Sequence, residues 1–411
     1  SETGSADFTS NLQRLPFGLC NDPIINNYDI AIDAIFGSGL TRPIEGFIAD
    51  IITSINESAA ITISIDIPSG LFADKHTQSE NIIEANYTVS FQLPKLVFMF
   101  PEAHQYVGDW CVVDIGLDQT FISNEPSDFH FLVATKIKRL IRRLSKFDHK
   151  GSNGHALLVA GSYGKMGAAV LAGRACLRMG VGLLSVHVPK CGNNVIQSSV
   201  PEAMSIPDQN DYIISDYKVN DGYNGLGVGA GIGLEKPTVN TIEKLLTKSG
   251  VPLVLDADAL NIISYHRTFL ALLPKNTILT PHPKEFERLV GERWQNDFER
   301  LSLQREWSKK FEVIIVLKGA HTSITTPDGQ VYFNSTGNEG MAKGGSGDVL
   351  LGMITSILAQ GYTPIHAALI GVYLHGLAGD IAAEKIGKRS MIAGDLLENI
   401  PLAYRQLLTN C

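Results

Sequence analysis

Ala156-Leu-Leu-Val-Ala-Gly-Ser-Tyr-Gly-Lys-Met-Gly-Ala-Ala169 is an apolar run, then a glycine-rich turn, then the start of a helical pattern that Gly180 can end. A strand, a tight turn and a helix in that order are the unit of an α/β fold, and such a turn falls at the carboxyl edge of a parallel sheet, where α/β ligands bind. The alternation continues outward. Leu183–Val188, Val251–Leu255, Thr277–Leu279 and Val313–Leu317 read as short strands separated by helical patterns, and Val349–Ala359, Pro364–Lys385 and Gly394–Leu408 read as closing helices. Upstream, Ile30–Phe36 and the β-branched run Ile61–Ile67 flank Ile44, Phe47, Ile48, Ile51, Ile52 and Ile55 at helical spacing, a second strand–helix–strand unit. Tyr87–Leu93, Val97–Phe100 and Cys111–Ile115 add strands to it. The pattern lapses between Gly116 and Phe131, which predicts a first domain over 1–125 and a second over 126–411.

Composition narrows the class. Of 411 residues, 44% are hydrophobic and 18% charged, which excludes a disordered chain. A net charge of −8 disfavours nucleic acid or an anionic membrane as partner. Backbone amides can still bind a phosphate whatever the net charge. No run of about 18 apolar residues appears, so no membrane span is expected. Cys20, Cys111, Cys176, Cys191 and Cys411 are scattered, without metal or disulfide spacing, as in a reducing, cytoplasmic setting. The opening SETGSADFTS is not a signal peptide, and with no initiator Met it reads as a cut or processed end.

The densest chemical signal is Asn338-Glu-Gly-Met-Ala-Lys-Gly-Gly-Ser-Gly-Asp348, running straight into the helix from Val349. Gly344, Gly345, Ser346 and Gly347 expose amides beside a positive helix end, a cradle for phosphate or for a phosphoryl group in transfer. Asp348 is then either a simple N-cap or a base that takes a proton from a hydroxyl. Gly161–Gly167 is a phosphate-type turn but no P-loop, because Met166 stands where Ser or Thr is required. Gly227-Val-Gly-Ala-Gly-Ile-Gly233 permits close ligand approach. Asp256 and Asp258 end another strand, as metal-linked groups or as caps. His282 lies between two prolines, and Lys318-Gly-Ala-His-Thr322 follows a strand with a cation suited to phosphate. In the first domain, Asp33 interrupts an apolar strand, Gly37–Pro43 follows it, and Asp66 and Ser69 end the next strand.

These residues carry a resemblance. Lys150–Ala169, VLDADAL (Val254–Leu260), LTPHPKEFERL (Leu279–Leu289), LKGAHT (Leu317–Thr322) and GNEGMAKGGSGDVLLG (Gly337–Gly352) resemble the NAD(P)H-hydrate dehydratase family, over about Lys150 to Leu408. IDAIFGSGLTRPIEG (Ile32–Gly46), IDIPSGL (Ile65–Leu71), ANYTVSFQLPK (Ala85–Lys95) and VVDIGL (Val112–Leu117) resemble the NAD(P)H-hydrate epimerase domain often fused before it. The resemblance implies a partial Rossmann-like domain followed by a ribokinase-like α/β domain. It implies repair of the hydrates NADHX and NADPHX, with dehydration driven by ADP or ATP together with Mg2+. It places nucleotide on Lys318, Gly319, Ala320, His321, Thr322, Gly344, Gly345, Ser346 and Gly347. The hydrate falls against Ala168, Ala169, Gly229, Gly231, His282 and Asp348. In the epimerase-like part, Gly37, Ser38, Gly39, Leu40, Thr41, Arg42, Pro43 and Asp66 would meet the hydrate, and Asp33 and Ser69 would hold K+. The family's Asn-rich, Gly-rich loop, which binds both hydrate and K+, has no counterpart in the residues before Asp33; Asn26-Asn27 lacks the glycines. The first domain is therefore expected to be incomplete as an epimerase. A tetramer or larger homo-oligomer is implied. The competing readings are a ribokinase-like small-molecule kinase and a first domain that serves assembly without catalysis.

Overall fold

The computed structural model describes residues 6–14, 29–217 and 222–409; Cys20, Asn26, Asn27 and Cys411 lie outside them. Contacts divide the chain into two units, one running to Leu117, the other from Asp118 onward and including Met99–Pro101.

The first unit holds four strands, β1 (Ile30–Asp33), β2 (Ile61–Ile65), β3 (Tyr87–Phe91) and β4 (Asp109–Val113), paired in that order and all parallel. Helix Phe47–Glu57 crosses from β1 to β2 and buries Ile52 against Ile44, Ile83 and Ala85. β1 stops at Asp33, short of the apolar run, because the Asp33 carboxylate accepts Ile35 N–H and draws the backbone out of the ladder. The strand expected at Val97–Phe100 is instead a pair of 3-10 turns, Leu96–Met99 and Pro101–Ala103. Pro94 and Pro101 bracket this segment, and a residue without an N–H cannot continue a ladder.

The second unit is built on a ten-stranded sheet. Its strands are β5 (Phe129–Phe131), β6 (His155–Val159), β7 (Leu183–Val188), β8 (Met204–Pro207), β9 (Gly225–Val228), β10 (Leu253–Leu255), β11 (Ile278–Leu279), β12 (Ile314–Leu317), β13 (Ser323–Thr325) and β14 (Val331–Phe333). The order is β5-β14-β13-β12-β11-β10-β9-β6-β7-β8, and every pairing from β12 through β8 is parallel. β6 alternates faces. Ala156 and Leu158 join the core under helices Met166–Arg178 and Ser346–Ala359, while Leu157 and Val159 join the opposite core under Lys236–Lys248 and Ala257–Tyr265. Both faces are therefore covered, as a parallel sheet requires. Helix Pro364–Ile386 is long and apolar enough by composition to cross a bilayer, but 78% of that window is buried within the fold, which makes it a core helix.

β6 has β7 on one side and β9 on the other, so the strand order reverses there. Crevices at such reversals, at the carboxyl ends of the strands, are where open α/β sheets bind ligands. The turns after β6, β9, β10, β11 and β12 all open onto this edge.

Candidate active site

Five strand ends and one helix start build the site in the second unit. Helix Ser346–Ala359 begins at Gly345, whose φ of 92° is left-handed; a side chain there would also strike Leu171 and Ala393. Among the described residues, Gly344 and Gly345 N–H donate to no partner, and Gly347 and Asp348 occupy the first turn, where the helix supplies no acceptor. His375 Nε2 lies 3.0 Å from Ser346 O; burial holds this imidazole down to a pKa of about 4, so the neutral ring donates to that carbonyl. The Gly344 and Gly345 amides are thus free at the positive end of a buried helix, while Ser346 N donates to Lys343 O at 3.4 Å.

Asp348 lies in that first turn without acting as its cap, since no side chain caps this helix. Burial raises its pKa to about 6, with Asp256 and Asp258 adding to the rise and Lys318 opposing it. Lys318, at the end of β12, places Nζ 2.8 Å from Asp256 Oδ1 and 3.8 Å from Glu285 Oε2. Burial works to strip its proton, but Asp256 and Glu285 outweigh it, and the ammonium is held more firmly than usual. A Cβ added to Gly347 would lie 3.4 Å from both Lys318 Nζ and Asp256 Oδ2, so the glycine opens the floor beside the ion pair.

The other expected residues divide. Gly229 has φ 131°, and a Cβ there would sit 1.8 Å from Asp256 O; only glycine lets β9 turn this closely past β10. Gly231 faces Lys165 and Ala168, at 3.1 and 3.3 Å from where its Cβ would be. Ala168 therefore borders the same strip, while Ala169 is fully buried in the helix core and presents no side-chain surface to it. His282 caps helix Pro283–Val290: Nδ1 accepts from Lys284 N and Glu285 N, and Glu285 Oε2 accepts His282 N at 2.8 Å. Because Nδ1 accepts, the neutral ring carries its proton on Nε2; burial lowers its pKa further. Gly319 and Ala320 are exposed, and Thr322 Oγ1 closes the turn onto Gly319. His321 Nδ1 is tied to Asn334 O, and burial lowers its pKa.

Sequence reasoning left Asp256 and Asp258 between metal and cap. Neither side chain caps the helix that follows: Asp256 pairs with Lys318, and Asp258 accepts Gly233 N at 2.9 Å. Glu285 and His375 were missed. The His-Pro-Lys-Glu spacing signals a capping box once His is admitted as the cap, whereas nothing local marks His375.

In the first unit, Asp33 is 1% exposed and its carboxylate accepts from Ser69 Oγ (2.6 Å), Ile35 N (3.3 Å), Ser69 N (2.8 Å) and Ser64 Oγ (2.8 Å). Four donors fill the lone-pair sites a carboxylate offers. Ser69 Oγ also accepts Phe36 N at 2.9 Å. The two residues expected to hold K+ thus bond each other across the adjacent ends of β1 and β2. Asp66 has φ 68°, an uncommon conformation for a side-chain-bearing residue. Lys95, unmarked by sequence reasoning, lies 2.6 Å from Asp66 Oδ1. Burial works to raise the Asp66 pKa, and Lys95 with the Phe91 and Ser38 amides brings it below the usual carboxylate range. Gly37 through Pro43 line this end as an exposed turn, except Leu40, which is half-buried; a Cβ on Gly37 would be 3.6 Å from Asp66 Oδ2, and Thr41 O accepts Lys75 Nζ.

An anion cradle at a helix start, a half-buried aspartate beside it and a lysine at a strand end define a ribokinase-like enzyme site. Residues 156–402 match the NAD(P)H-hydrate dehydratase model, and residues 4–97 match the YjeF-related protein N-terminus. The bifunctional NAD(P)H-hydrate repair enzyme Nnr of Moorella thermoacetica is 37% identical over 92% of this chain and 73% of its own length. That of Coxiella burnetii is 31% identical over 97% of this chain and 80% of its own. A crystal structure of the ADP/ATP-dependent NAD(P)H-hydrate dehydratase from Bacillus subtilis, co-crystallised with ATP/Mg2+, is similar with a TM-score of 0.60 and 32% identity, covering 68% of this chain and 98% of that one. The chain belongs to the NAD(P)H-hydrate dehydratase family, with an epimerase-type unit ahead of the dehydratase unit. The small-molecule kinase reading is not favoured by these relatives.

Proposed function

We propose that the second unit dehydrates the S hydrates of NADH and NADPH, with ADP as phosphoryl donor. The observation that carries this reading is Asp348, a half-buried carboxylate with a pKa near 6, in the first turn of a helix at whose entry the Gly344 and Gly345 amides have no partner among the described residues. Hydroxide is a poor leaving group and phosphate a good one. Asp348 takes the proton of the C6 hydroxyl, and the freed oxygen attacks the terminal phosphorus as its bond to AMP breaks. The amides of Gly344, Gly345 and Gly347 meet the charge on the moving phosphoryl oxygens, each donor worth roughly 3 kcal/mol in such holes. The ring nitrogen lone pair then expels phosphate, and loss of a C5 proton restores the dihydropyridine. Lys318 faces the donor phosphates, and the turn Gly319–Thr322, exposed at Gly319 and Ala320, borders the rest of the nucleotide. The hydrate lies along Gly229, Gly231 and Ala168, with His282 Nε2–H at the rim.

Mg2+ is usually held by substrate phosphates and water with few protein carboxylates, so it would arrive with the nucleotide. K+ on Asp33 and Ser69 requires those groups to give up hydrogen bonds they already hold. The strained Asp66, its Lys95 partner and the Gly37–Pro43 turn support a hydrate site in a first unit related to the epimerase that interconverts the R and S hydrates. A cytoplasmic setting and a homo-oligomer of four or more copies belong to the same reading. The test is to supply the S hydrate with ADP or ATP and follow phosphate and dihydropyridine absorbance. Equal release of both supports dehydration, and a stable phosphate ester refutes it.

A further inference from the structure

Two large aromatic rings stand in solvent at one end of the strand edge. Tyr163 is 71% exposed and Tyr212 is 57% exposed. Their centroids are 5.1 Å apart at an interplanar angle of 86°, and Tyr163 N donates to Tyr212 O at 2.8 Å. Tyr212 is fixed in turn by Asn210 Oδ1, which accepts its N–H at 2.9 Å. The pair is therefore a braced surface, and an edge-to-face arrangement leaves a ring face open.

Its place in the fold gives it meaning. Tyr163 and Lys165 lie on the Gly161–Gly167 turn, which is pinned to the β9 glycine strip by Gly161 N to Ala230 O (2.8 Å) and Ser162 Oγ to Gly231 O (2.7 Å). From Asp348 the floor runs past Asp256 and Gly229 to Gly231, then to Lys165. Lys165 Nζ is half-exposed and 3.6 Å from Asp258 Oδ2. Lys318, the cation assigned to the nucleotide, is on β12, four strands from β6. At about 4.8 Å per strand that is roughly 19 Å along the edge. The tyrosines thus sit on the β6 side of the edge, away from Lys318, and at the end of the strip assigned to the hydrate.

The hydrate is a dinucleotide. Once its damaged ring is against Asp348, a pyrophosphate and an adenine remain to be placed. We propose that Tyr163 and Tyr212 form the stacking platform for that adenine half, with Lys165 facing the pyrophosphate. This rests on the dehydratase reading above. Stacking of a base on an aromatic side chain is a recurrent and strong contact in nucleotide recognition.

The experiment is steady-state kinetics of the full chain with NADHX and ADP. Tyr163→Ala combined with Tyr212→Ala raises KM for NADHX about tenfold, within the range measured for base stacking. kcat and the KM for ADP stay within twofold, and Tyr163→Phe, which keeps the ring, retains the wild-type KM. A KM for NADHX within twofold of wild type in the double variant overturns the proposal. So does a rise that falls on ADP instead, which would make the rings the donor's platform, or an equal rise in Tyr163→Phe. Failure of the wild-type chain to dehydrate NADHX at all is a different result and sinks the dehydratase reading itself.

Discussion

Lys318 Nζ is 2.8 Å from Asp256 Oδ1, an ion pair that joins β12 to β10 across the intervening strand and flanks the open position of Gly347. Its two charges act on Asp348 in opposite senses: Asp256 raises that carboxyl's pKa and Lys318 lowers it.

This gives a pH prediction of definite sign. The reaction needs Asp348 ionised, so kcat/KM should fall about tenfold per pH unit below a pKa near 6. Asp256→Asn removes a negative neighbour and should move that acid limb to lower pH. Lys318→Met removes the opposing cation and should move it higher, while also raising KM for ADP. Limbs that do not move, or that move the other way, contradict the assignment.

A base held at raised pKa also costs stability. The folded-state pKa of Asp348, about 6, lies above its ordinary 3.8. Nothing is lost below pH near 4, where the carboxyl is protonated in both states. Stability then declines as pH rises toward 6, by on the order of 3 kcal/mol in full. Asp348→Asn should therefore unfold at a higher temperature than wild type at pH 7.5, with the gap closing near pH 4, while activity is lost. Scanning calorimetry at the two pH values checks both.

The close passage at Gly229 sets a third expectation. Gly229→Ala puts a methyl 1.8 Å from Asp256 O on a left-handed backbone. The turn must shift and carry Asp256 with it, so thermal stability drops by several degrees and dehydration falls more than tenfold. Circular dichroism and turnover, measured together, decide it.

In the first unit, Asp33→Asn replaces an acceptor-only group with one that brings its own N–H donors among Ser64, Ser69 and Ile35. Leaving one buried donor unmatched costs roughly 1–3 kcal/mol. Amide hydrogen exchange across residues 30–70 of the intact chain should rise, whereas exchange in the Ser346–Ala359 helix should not.

How much of this was legible in the chain depends on how local each signal is. Gly344–Asp348 announces itself because the glycines, the acid and the apolar helix are contiguous. The strand–turn–helix from Ala156 to Ala169 does so for the same reason, and with it the α/β fold. The Lys318–Asp256 pair joins residues far apart in sequence that only the strand order brings together, so each acid looked like a cap or a metal ligand. His375 lies in the middle of an apolar helix, where one histidine reads as filler. Asp33 stood out correctly as a buried charge, but whether its partners were a cation or its own serines depended on rotamers no spacing reveals. Val97–Phe100 misled because an apolar run of four residues gives no period to read, and its flanking prolines decided the outcome.

The most direct test of the central claim is a single-turnover reaction of the S hydrate of NADH with ADP, comparing wild type with Asp348→Asn. Phosphate and restored dihydropyridine should appear together in wild type, in equal amounts, and both should fall at least a hundredfold in the variant. A variant that turns over near the wild-type rate would contradict the role given to Asp348.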